Sequence, residues 1–402
     1  MPWPGGSFRA CASRCPIRRL CCARCWPLNP PESWCQRSRQ ALAAGSTQLL
    51  LLLGGTDTAA VPGISAAGAT AESRRFTAAA DAELLWRGPG HDLPHQLPPL
   101  PAGVTPALIS WAAQQQLQLP LLVIDAGAAV PPAVPHIQLG LPQARCLSSG
   151  AAMKPGDLQR RLQIGRQLGA GFRRRHPAGL LVLAECVPGG TSTAQAVLTG
   201  LGLEVSGVVS GSLRHPPHDL RQGLVQQGLQ SLTARHGPVL EPLQVLAGLG
   251  DPFQALGLGV LQGVLAPESS QPGLDPQVLL AGGSQMLALQ ALHLALLPAE
   301  QRAVAAAQVV VATTGWLMGE SGSNLAELAR RIALRWGAVP QLAHAALRFD
   351  RCDQQALRDY EQGYVKEGVG AGAMAWLWEL SGHTPEQLAA ACDAACARLL
   401  AA

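Results

Sequence analysis

Two carboxylates stand directly before glycine-rich turns, and their types and positions suit them to chemistry. Glu185 precedes Gly189-Gly190, and Glu367 opens the run EGVGAG at residues 367–372. An apolar helical pattern follows each turn. Glycines let a backbone approach a ligand closely, and a helix N-terminus offers free N–H groups and a positive dipole end to a phosphate. The two segments are therefore suited to holding a nucleotide and supplying a general base.

Both segments also have purely structural interpretations. Glu185 can cap the following helix or pair with an arginine, and the hydroxyl residues 191–193 can act as helix caps alone. Glu367, next to Lys366, can be half of a solvated ion pair in a turn. The glycines that follow it favour the functional interpretation, because such a cluster indicates that something approaches the backbone.

A third turn of small residues, 210–212, follows an apolar run at 205–209 that predicts a strand. His215 and His218 come next, three positions apart, but the two prolines between them break the helix that would align them on a metal. We find no other spacing typical of metal ligands and no Walker-type phosphate loop. The sequence therefore predicts neither a metal nor a cofactor.

Composition narrows the class of protein. Hydrophobic residues make up 48% of the 402 residues and charged residues 14%, which is typical of a well-packed globular chain. A net charge of +4 predicts no nucleic-acid partner. The apolar runs at 48–54 and 308–319 are shorter than the roughly 18 residues that span a bilayer, so we predict buried strands and no membrane partner. Outside residues 1–45 the cysteines are few and scattered, as in a reduced, cytoplasmic protein.

Residues 1–45 differ from the rest of the chain. Seven arginines there face a single acid, Glu32, and six of the eleven cysteines lie there without the paired spacing of a zinc ribbon. The segment has no apolar core of the kind that a secretory signal needs. We predict a disordered, Arg/Cys-rich extension, or residues upstream of the natural start, that is dispensable for folding.

From about residue 48 onward, short apolar runs alternate with helical patterns. This order predicts an α/β fold with a mostly parallel sheet covered by helices. Ligands of such sheets bind beyond the carboxyl ends of the strands, where the glycine turns lie. The predicted strands are 49–53, 119–125, 179–185, 205–209, 278–281 and 309–312, and the predicted helices include 106–116, 154–168, 325–336 and 385–400.

Five segments in this order resemble the nicotinate-nucleotide–dimethylbenzimidazole phosphoribosyltransferase family, and most closely a divergent, less characterised branch of it. They are residues 64–70, 123–127, 185–193, 280–286 and 367–372, and the resemblance covers roughly residues 47–400. It implies a Rossmann-like, mostly parallel sheet flanked by helices, with a smaller helical domain from the chain ends and a homodimeric assembly. The implied reaction transfers the 5-phosphoribosyl group of nicotinate mononucleotide to an aromatic lower-ligand base during cobamide nucleotide-loop assembly, releasing nicotinate.

The resemblance also implies a role for individual residues. Glu367 corresponds to the general base and Glu185 to its partner carboxylate. The residues implied to bind substrate or phosphate are Gly189, Gly190, Thr191, Ser192, Ser210, Gly211, Arg221, Gly282, Gly283, Gly368 and Gly370.

The implied organisation has four segments. They are the extension at 1–45, a contribution to the small domain at 46–103, an α/β nucleotide-binding domain at 104–345, and a C-terminal segment with closing helices at 346–402.

The acceptor base stays open at this stage. The turn after Glu185 is longer than in the well-studied branch and contains Pro188, and the N-terminal half does not match that branch closely. Three functions are compatible with the sequence: the transferase described above, the same chemistry on another base such as a purine or a phenol, and a non-catalytic nucleotide-binding protein. The presence of both Glu185 and Glu367 favours an enzyme.

Overall fold

The computed structural model describes residues 29–90, 93–211, 213–266 and 275–401. Within them, seven parallel strands form one sheet in the order β3-β2-β1-β4-β5-β6-β7. The strands are β1 (Thr47–Leu53), β2 (Leu121–Asp125), β3 (Ile137–Gln138), β4 (Leu180–Cys186), β5 (Gln277–Ala281), β6 (Val309–Thr313) and β7 (Gln341–His344).

Helices flank the sheet on both faces, as the α/β prediction requires. They are α1 (Glu32–Ala43), α2 (Ala71–Arg74), α3 (Thr77–Arg87), α4 (Ala107–Leu117), α5 (Pro155–Arg175), α6 (Gly190–Gly200), α7 (His218–His236), α8 (Pro242–Leu249), α9 (Pro252–Val264), α10 (Ser284–Leu296), α11 (Ala299–Ala307), α12 (Gly315–Met318), α13 (Leu325–Trp336), α14 (Gln355–Arg358), α15 (Ala371–Leu380) and α16 (Pro385–Ala401).

The central strands are almost continuously apolar because both of their faces are covered. All five residues of β5 and of β6 are buried. The strand order changes direction between β1 and β4, and open α/β sheets bind ligands in the crevice at such a switch point. Glu185, next to last in β4, lies at this point. The predicted fold class is confirmed.

Two apolar layers pack on the two faces of the sheet. The first layer contains buried residues of α5 to α10 and α13. The second layer contains buried residues of α1, α3, α4, α15 and α16, so helices from both chain ends pack together. The second layer also contains α4, which the predicted division assigned to the α/β domain, so the four-segment division stays a prediction.

Three parts of the predicted secondary structure are wrong or incomplete. Residues 205–209 form turns rather than a strand, with Gly207 at φ 73°, although Val205 and Val209 are buried. Their apolarity reflects burial against the first layer. The short strands β3 and β7 were not predicted. In addition, β1 pairs with both β2 and β4, so residues 46–103 contribute a central strand to the sheet as well as helices to the smaller part.

The predicted disordered extension is wrong for residues 32–43, which form α1. Trp34 is 2% exposed, and its ring centroid lies 5.9 Å from that of Trp376. Its carbonyl accepts a hydrogen bond from Gln277 Nε2 at 3.2 Å, which ties α1 to the start of β5. The aromatic ring is what orders this segment, and the arginine-rich composition concealed it. Residues 1–28 lie outside the described residues.

Replacing Trp34 by Ala is expected to lower the free energy of unfolding by about 3 kcal/mol, because a large buried ring leaves a cavity that the surroundings fill only partly. Urea unfolding of the variant and of the wild type measures this difference. Gln36→Ala, an exposed position on the same helix, is the matched control and should shift the midpoint little. Equal midpoints for Trp34→Ala and the wild type would show that α1 is dispensable, as the sequence predicted.

Candidate active site

A cavity of 810 Å³ lies at the carboxyl ends of β4 and β5, at the edge of the sheet where the sequence placed the site. Most of the residues that the resemblance assigned to the site line this cavity: Glu185, Gly189, Gly190, Thr191, Ser210, Gly211, Arg221, Gly283, Glu367 and Gly368. Three assigned residues do not line it: Ser192, Gly282 and Gly370. The fold thus brings together segments that are up to about 180 residues apart in the sequence.

Glu185 presents a weakly bonded carboxylate to the cavity. Its side chain accepts a hydrogen bond from the backbone of Val187. Burial, with a further contribution from the charge of Asp251, raises the pKa of Glu185 to about 8. A carboxyl group with this pKa exchanges a proton near neutral pH, as general acid–base catalysis requires.

Glu367 lines the same cavity, but its carboxylate is fully engaged. Oε2 accepts hydrogen bonds from Thr313 Oγ1 and the Thr314 N–H, both at 2.8 Å. Oε1 accepts from the N–H groups of Gly368 and Gly372, both at 3.1 Å. Burial raises the pKa of Glu367, and these four donors oppose that rise. They also fill the acceptor positions that a carboxylate offers.

The glycines after Glu367 have a structural reason for their spacing. A Cβ atom on Gly372 would come within 2.0 Å of the Thr313 carbonyl carbon, and one on Gly370 within 2.9 Å of Ala184 Cβ. The approach of α15 to the ends of β4 and β6 therefore requires glycine at both positions. Gly370 acts in this packing rather than as part of the cavity wall.

The turn after β4 presents a helix N-terminus to the cavity. Gly189 has φ 84° and directly precedes α6, whose first residues Gly190 and Thr191 line the cavity. A Cβ on Gly190 would come within 2.7 Å of Gln285 Nε2. The α6 N-terminus lies at the cavity wall, where its positive dipole end favours an anion. The N–H groups of Gly190, Ser192 and Thr193 already donate to backbone carbonyls.

Arg221 adds a positive charge to the same wall. Its side chain is 1% exposed, and Nη1 donates to the Val209 carbonyl at 3.2 Å. Nε has no hydrogen-bond partner within the described residues. Burial lowers the pKa of Arg221 to about 10, which leaves the guanidinium charged at neutral pH. Because Nε is buried, it is the charge of the guanidinium at the cavity wall that makes Arg221 a favourable partner for a phosphate.

Lys366 forms a buried network that the sequence did not predict. It is 2% exposed and pairs with Glu320 at 2.6 Å, so it is not part of a solvated pair with its neighbour. Its Nζ also donates to the Leu213 carbonyl at 2.9 Å. The second oxygen of Glu320 accepts from the hydroxyls of Ser210 and Ser323. The network joins the Glu367 segment to the wall at residues 210–213.

The backbone around Lys366 is strained. Val365, Lys366 and Val369 have φ of 64°, 65° and 53°, in the left-handed region that favours glycine. Such strain persists only where surrounding contacts enforce it, and it concentrates at functional sites. Here the Thr314 hydroxyl bonds the Lys366 carbonyl at 2.6 Å, and the Val369 N–H bonds the Glu185 carbonyl at 3.1 Å. The last contact joins the two glycine motifs directly.

Asp81 is a third carboxylate of the cavity wall that the sequence did not identify. It is 4% exposed within α3, and Oδ1 accepts from Thr105 Oγ1 at 2.6 Å. Oδ2 accepts from Cys186 Sγ at 3.3 Å. Burial raises the pKa of Asp81 to about 6. The available signal was that Asp81 and Glu83 interrupt an otherwise apolar helix, since acids are rarely buried without a partner.

Two features are absent from the described ranges, 29–90, 93–211, 213–266 and 275–401. No group of three or more histidine, cysteine or acidic side chains there is arranged to hold a metal ion. No helix in those ranges has both the length and the apolar character needed to cross a membrane.

Comparison with curated proteins finds relatives that match most of the chain. A UPF0284 protein of Parasynechococcus marenigrum is 47% identical over 378 residues, which is 92% of this chain and 90% of the relative. One of Prochlorococcus marinus is 47% identical over 369 residues, with 88% and 86% covered. One of Synechocystis is 41% identical over 324 residues, with 81% and 83% covered. No protein-family model matches the chain.

Comparison with solved structures finds a shared fold at low identity. The crystal structure of CobT from Thermus thermophilus aligns with a TM-score of 0.51 and 18% identity, covering 94% of this chain and 96% of the other. A structure of the nicotinate-nucleotide–dimethylbenzimidazole phosphoribosyltransferase from the same organism gives 0.52 and 17%, with 94% and 95% covered. The resemblance stated from the motifs is confirmed at the level of the fold.

Proposed function

The chain belongs to the UPF0284 family, and from this premise we propose that it is a phosphoribosyltransferase of cobalamin-related metabolism. In the proposed reaction, the 5-phosphoribosyl group of nicotinate mononucleotide passes to an aromatic lower-ligand base, and nicotinate leaves. The observation that carries the proposal is one cavity with a helix N-terminus and the buried Arg221 on one wall and the carboxylates of Glu185 and Glu367 beside them.

The proposed phosphate position is the wall formed by the α6 N-terminus, Gly211 and Arg221. A nucleotide 5′-phosphate placed there lies at the positive end of the α6 dipole and beside the guanidinium charge of Arg221. These interactions fix one end of the substrate without requiring a metal.

The proposed reaction centre lies between Glu185 and Glu367. Breaking the bond from the anomeric carbon to nicotinate creates positive charge on the ribosyl ring, which nearby carboxylates stabilise. The incoming base nitrogen forms the new bond at that carbon and loses its proton. The sequence assigned the proton acceptor to Glu367. We propose Glu185 instead, because the acceptor positions of Glu367 are filled by four donors while Glu185 has a pKa of about 8.

Under this proposal Glu367 is a fixed negative charge, held by Thr313 and the N–H groups around it.

We also propose that the protein forms the homodimer that the resemblance implies.

The test is nicotinate release from nicotinate mononucleotide, followed with a panel of aromatic bases. We expect base-dependent release by the wild type. Arg221→Gln should raise the KM for the nucleotide about 10- to 100-fold, because a hydrogen bond to a charged group contributes about 1.5–3 kcal/mol.

Arg161→Gln is the matched control for loss of a buried arginine. Arg161 is 0% exposed and binds the Ala126 carbonyl at 2.8 Å, but it does not line the cavity. The control should lower stability and leave the KM unchanged. Nucleotide binding without release for any base would contradict the proposal and favour a non-catalytic binding protein.

A further inference from the structure

The cavity has two walls of different chemistry, supplied by the two layers of the fold. Arg221 belongs to α7, whose Val225 is buried in the first layer, on the proposed phosphate side. Asp81 belongs to α3, whose Ala78 and Ala82 are buried in the second layer. The remaining lining from the second side is mostly apolar: Leu93, Leu97, Leu100, Val104 and Leu399.

An apolar wall with one embedded carboxylate selects for a particular class of ligand. Leucine and valine side chains accept a flat aromatic ring, while the carboxylate offers only hydrogen-bond acceptors once it is ionised. Oδ1 of Asp81 is held by the strong hydroxyl donor of Thr105, which fixes the orientation of the group. Oδ2 faces only a thiol, which is a weak donor. Oδ2 therefore retains the capacity to accept a hydrogen bond from a bound molecule.

We infer that Asp81 determines the specificity for the acceptor, and that the enzyme prefers heteroaromatic bases carrying an exocyclic amino group. This inference rests on the proposed function. The amino group of the base donates to Asp81 Oδ2, and the ring packs against the leucines of the second layer. The attacking ring nitrogen is then turned toward the reaction centre, because Asp81 and Glu185 line the same cavity. A base without the amino group leaves the buried carboxylate with only its thiol and hydroxyl partners.

The test uses acceptor pairs that differ only in the amino group: adenine against purine, and 4-aminobenzimidazole against benzimidazole. We expect kcat/KM to favour the amino-bearing member about 10- to 100-fold in at least one pair, since a hydrogen bond to a charged group is worth about 1.5–3 kcal/mol. Asp81→Asn keeps the size of the side chain and removes its charge. It should reduce that preference at least about tenfold and leave the KM for nicotinate mononucleotide unchanged.

Asp125→Asn is the control. Asp125 is a buried aspartate at the carboxyl end of β2 that binds the N–H groups of Gly127 and Ala128 and does not line the cavity. Its replacement should leave the preference intact. A loss of preference in Asp81→Asn alone cannot be explained by a general effect of neutralising a buried aspartate.

Measuring the binding of each base directly distinguishes failure of this inference from failure of the proposed function. Calorimetry with each base needs no turnover, and we expect tighter binding of the amino-bearing base to the wild type and loss of that difference in Asp81→Asn. Such binding without nicotinate release would support the role of Asp81 and overturn the transferase. Release at rates within about twofold for both members of both pairs would support the transferase and overturn the inference. If Asp81→Asn does not fold, equal binding of both members of both pairs by the wild type still overturns the inference.

Discussion

Glu185→Gln is expected to lower turnover about 10²- to 10⁴-fold, the usual cost of removing a general base. Glutamine keeps the size of the side chain but cannot take the proton from the attacking nitrogen. Affinity for nicotinate mononucleotide should change little, because the proposed phosphate contacts are made by Arg221 and the α6 N-terminus. The measurement is the steady-state rate of nicotinate release at saturating nucleotide and base.

The pH profile gives an independent readout of the same role. Burial raises the pKa of Glu185 to about 8. A general base acts in its ionised form, and that fraction grows as the pH rises through the pKa. We therefore expect kcat/KM to increase with pH and to level off above about 8, and we expect this limb to be absent from Glu185→Gln.

Glu367→Gln is the matched comparison, because the same substitution is made at the other carboxylate of the cavity. Its amide NH₂ would face either the Thr314 N–H or the N–H groups of Gly368 and Gly372, so a donor would meet a donor. We expect a loss of stability of about 1–3 kcal/mol and a smaller loss of turnover. The pH-dependent limb should remain. If the rise of kcat/KM with pH were lost only in Glu367→Gln, Glu367 would be the general base, as the sequence predicted.

The sequence predicted the central strands of the sheet correctly, because strands that are covered on both faces are almost continuously apolar. β1, β4, β5 and β6 are apolar runs followed by turn residues, and parallel strands covered on both faces show this pattern. The same signal failed at residues 205–209, because apolarity reports burial and not backbone conformation. Those valines are buried in turns. The Val208 carbonyl accepts a hydrogen bond from the Asn324 N–H, and the Val209 carbonyl accepts one from Arg221 of α7.

The glycines after Glu367 do mark a close approach to the backbone, as the sequence predicted. At Gly370 and Gly372, however, the group that approaches the backbone is the end of the sheet and not a ligand. Only Gly368 of that group lines the cavity. Sequence alone does not separate the two cases, since both require a position without Cβ.

The residues that the sequence missed act through partners distant along the chain. Asp81 meets Thr105 and Cys186 only in the folded sheet, and Lys366 is 46 residues from Glu320. Neither pairing has a local pattern of spacing, unlike a capping box or an i,i+4 ion pair. Such contacts become visible only when the topology is known.

Lys366→Met is expected to destabilise the protein by about 3–5 kcal/mol, the usual cost of leaving a buried charge without its partner. Methionine approximates the length of the lysine stem but lacks the ammonium group, so Glu320, whose side chain is 7% exposed, loses its counter-charge. The strained φ of 65° at position 366 is present in both proteins and cancels in the comparison. Urea unfolding followed by tryptophan fluorescence measures the change.

Lys154→Met is the control, because Lys154 is the other lysine of the chain and is exposed. It should be neutral within about 0.5 kcal/mol. The double variant Lys366→Met/Glu320→Gln removes both charges and should recover most of the lost stability, because no uncompensated charge remains. If Lys366→Met alone matched the wild type, the ion pair would contribute nothing to stability.

The double variant also shows whether the Lys366–Glu320 pair positions the cavity wall in addition to stabilising the fold. The Lys366–Glu320 pair connects the Glu367 segment to Ser210 and Leu213 in the wall of the cavity. If the pair serves only folding, the recovered double variant should release nicotinate with a normal KM for the nucleotide. We expect instead a raised KM, because Ser210 loses its charged acceptor and the adjoining Gly211 is no longer held beside Arg221. A stable double variant with wild-type KM would limit the network to a structural role.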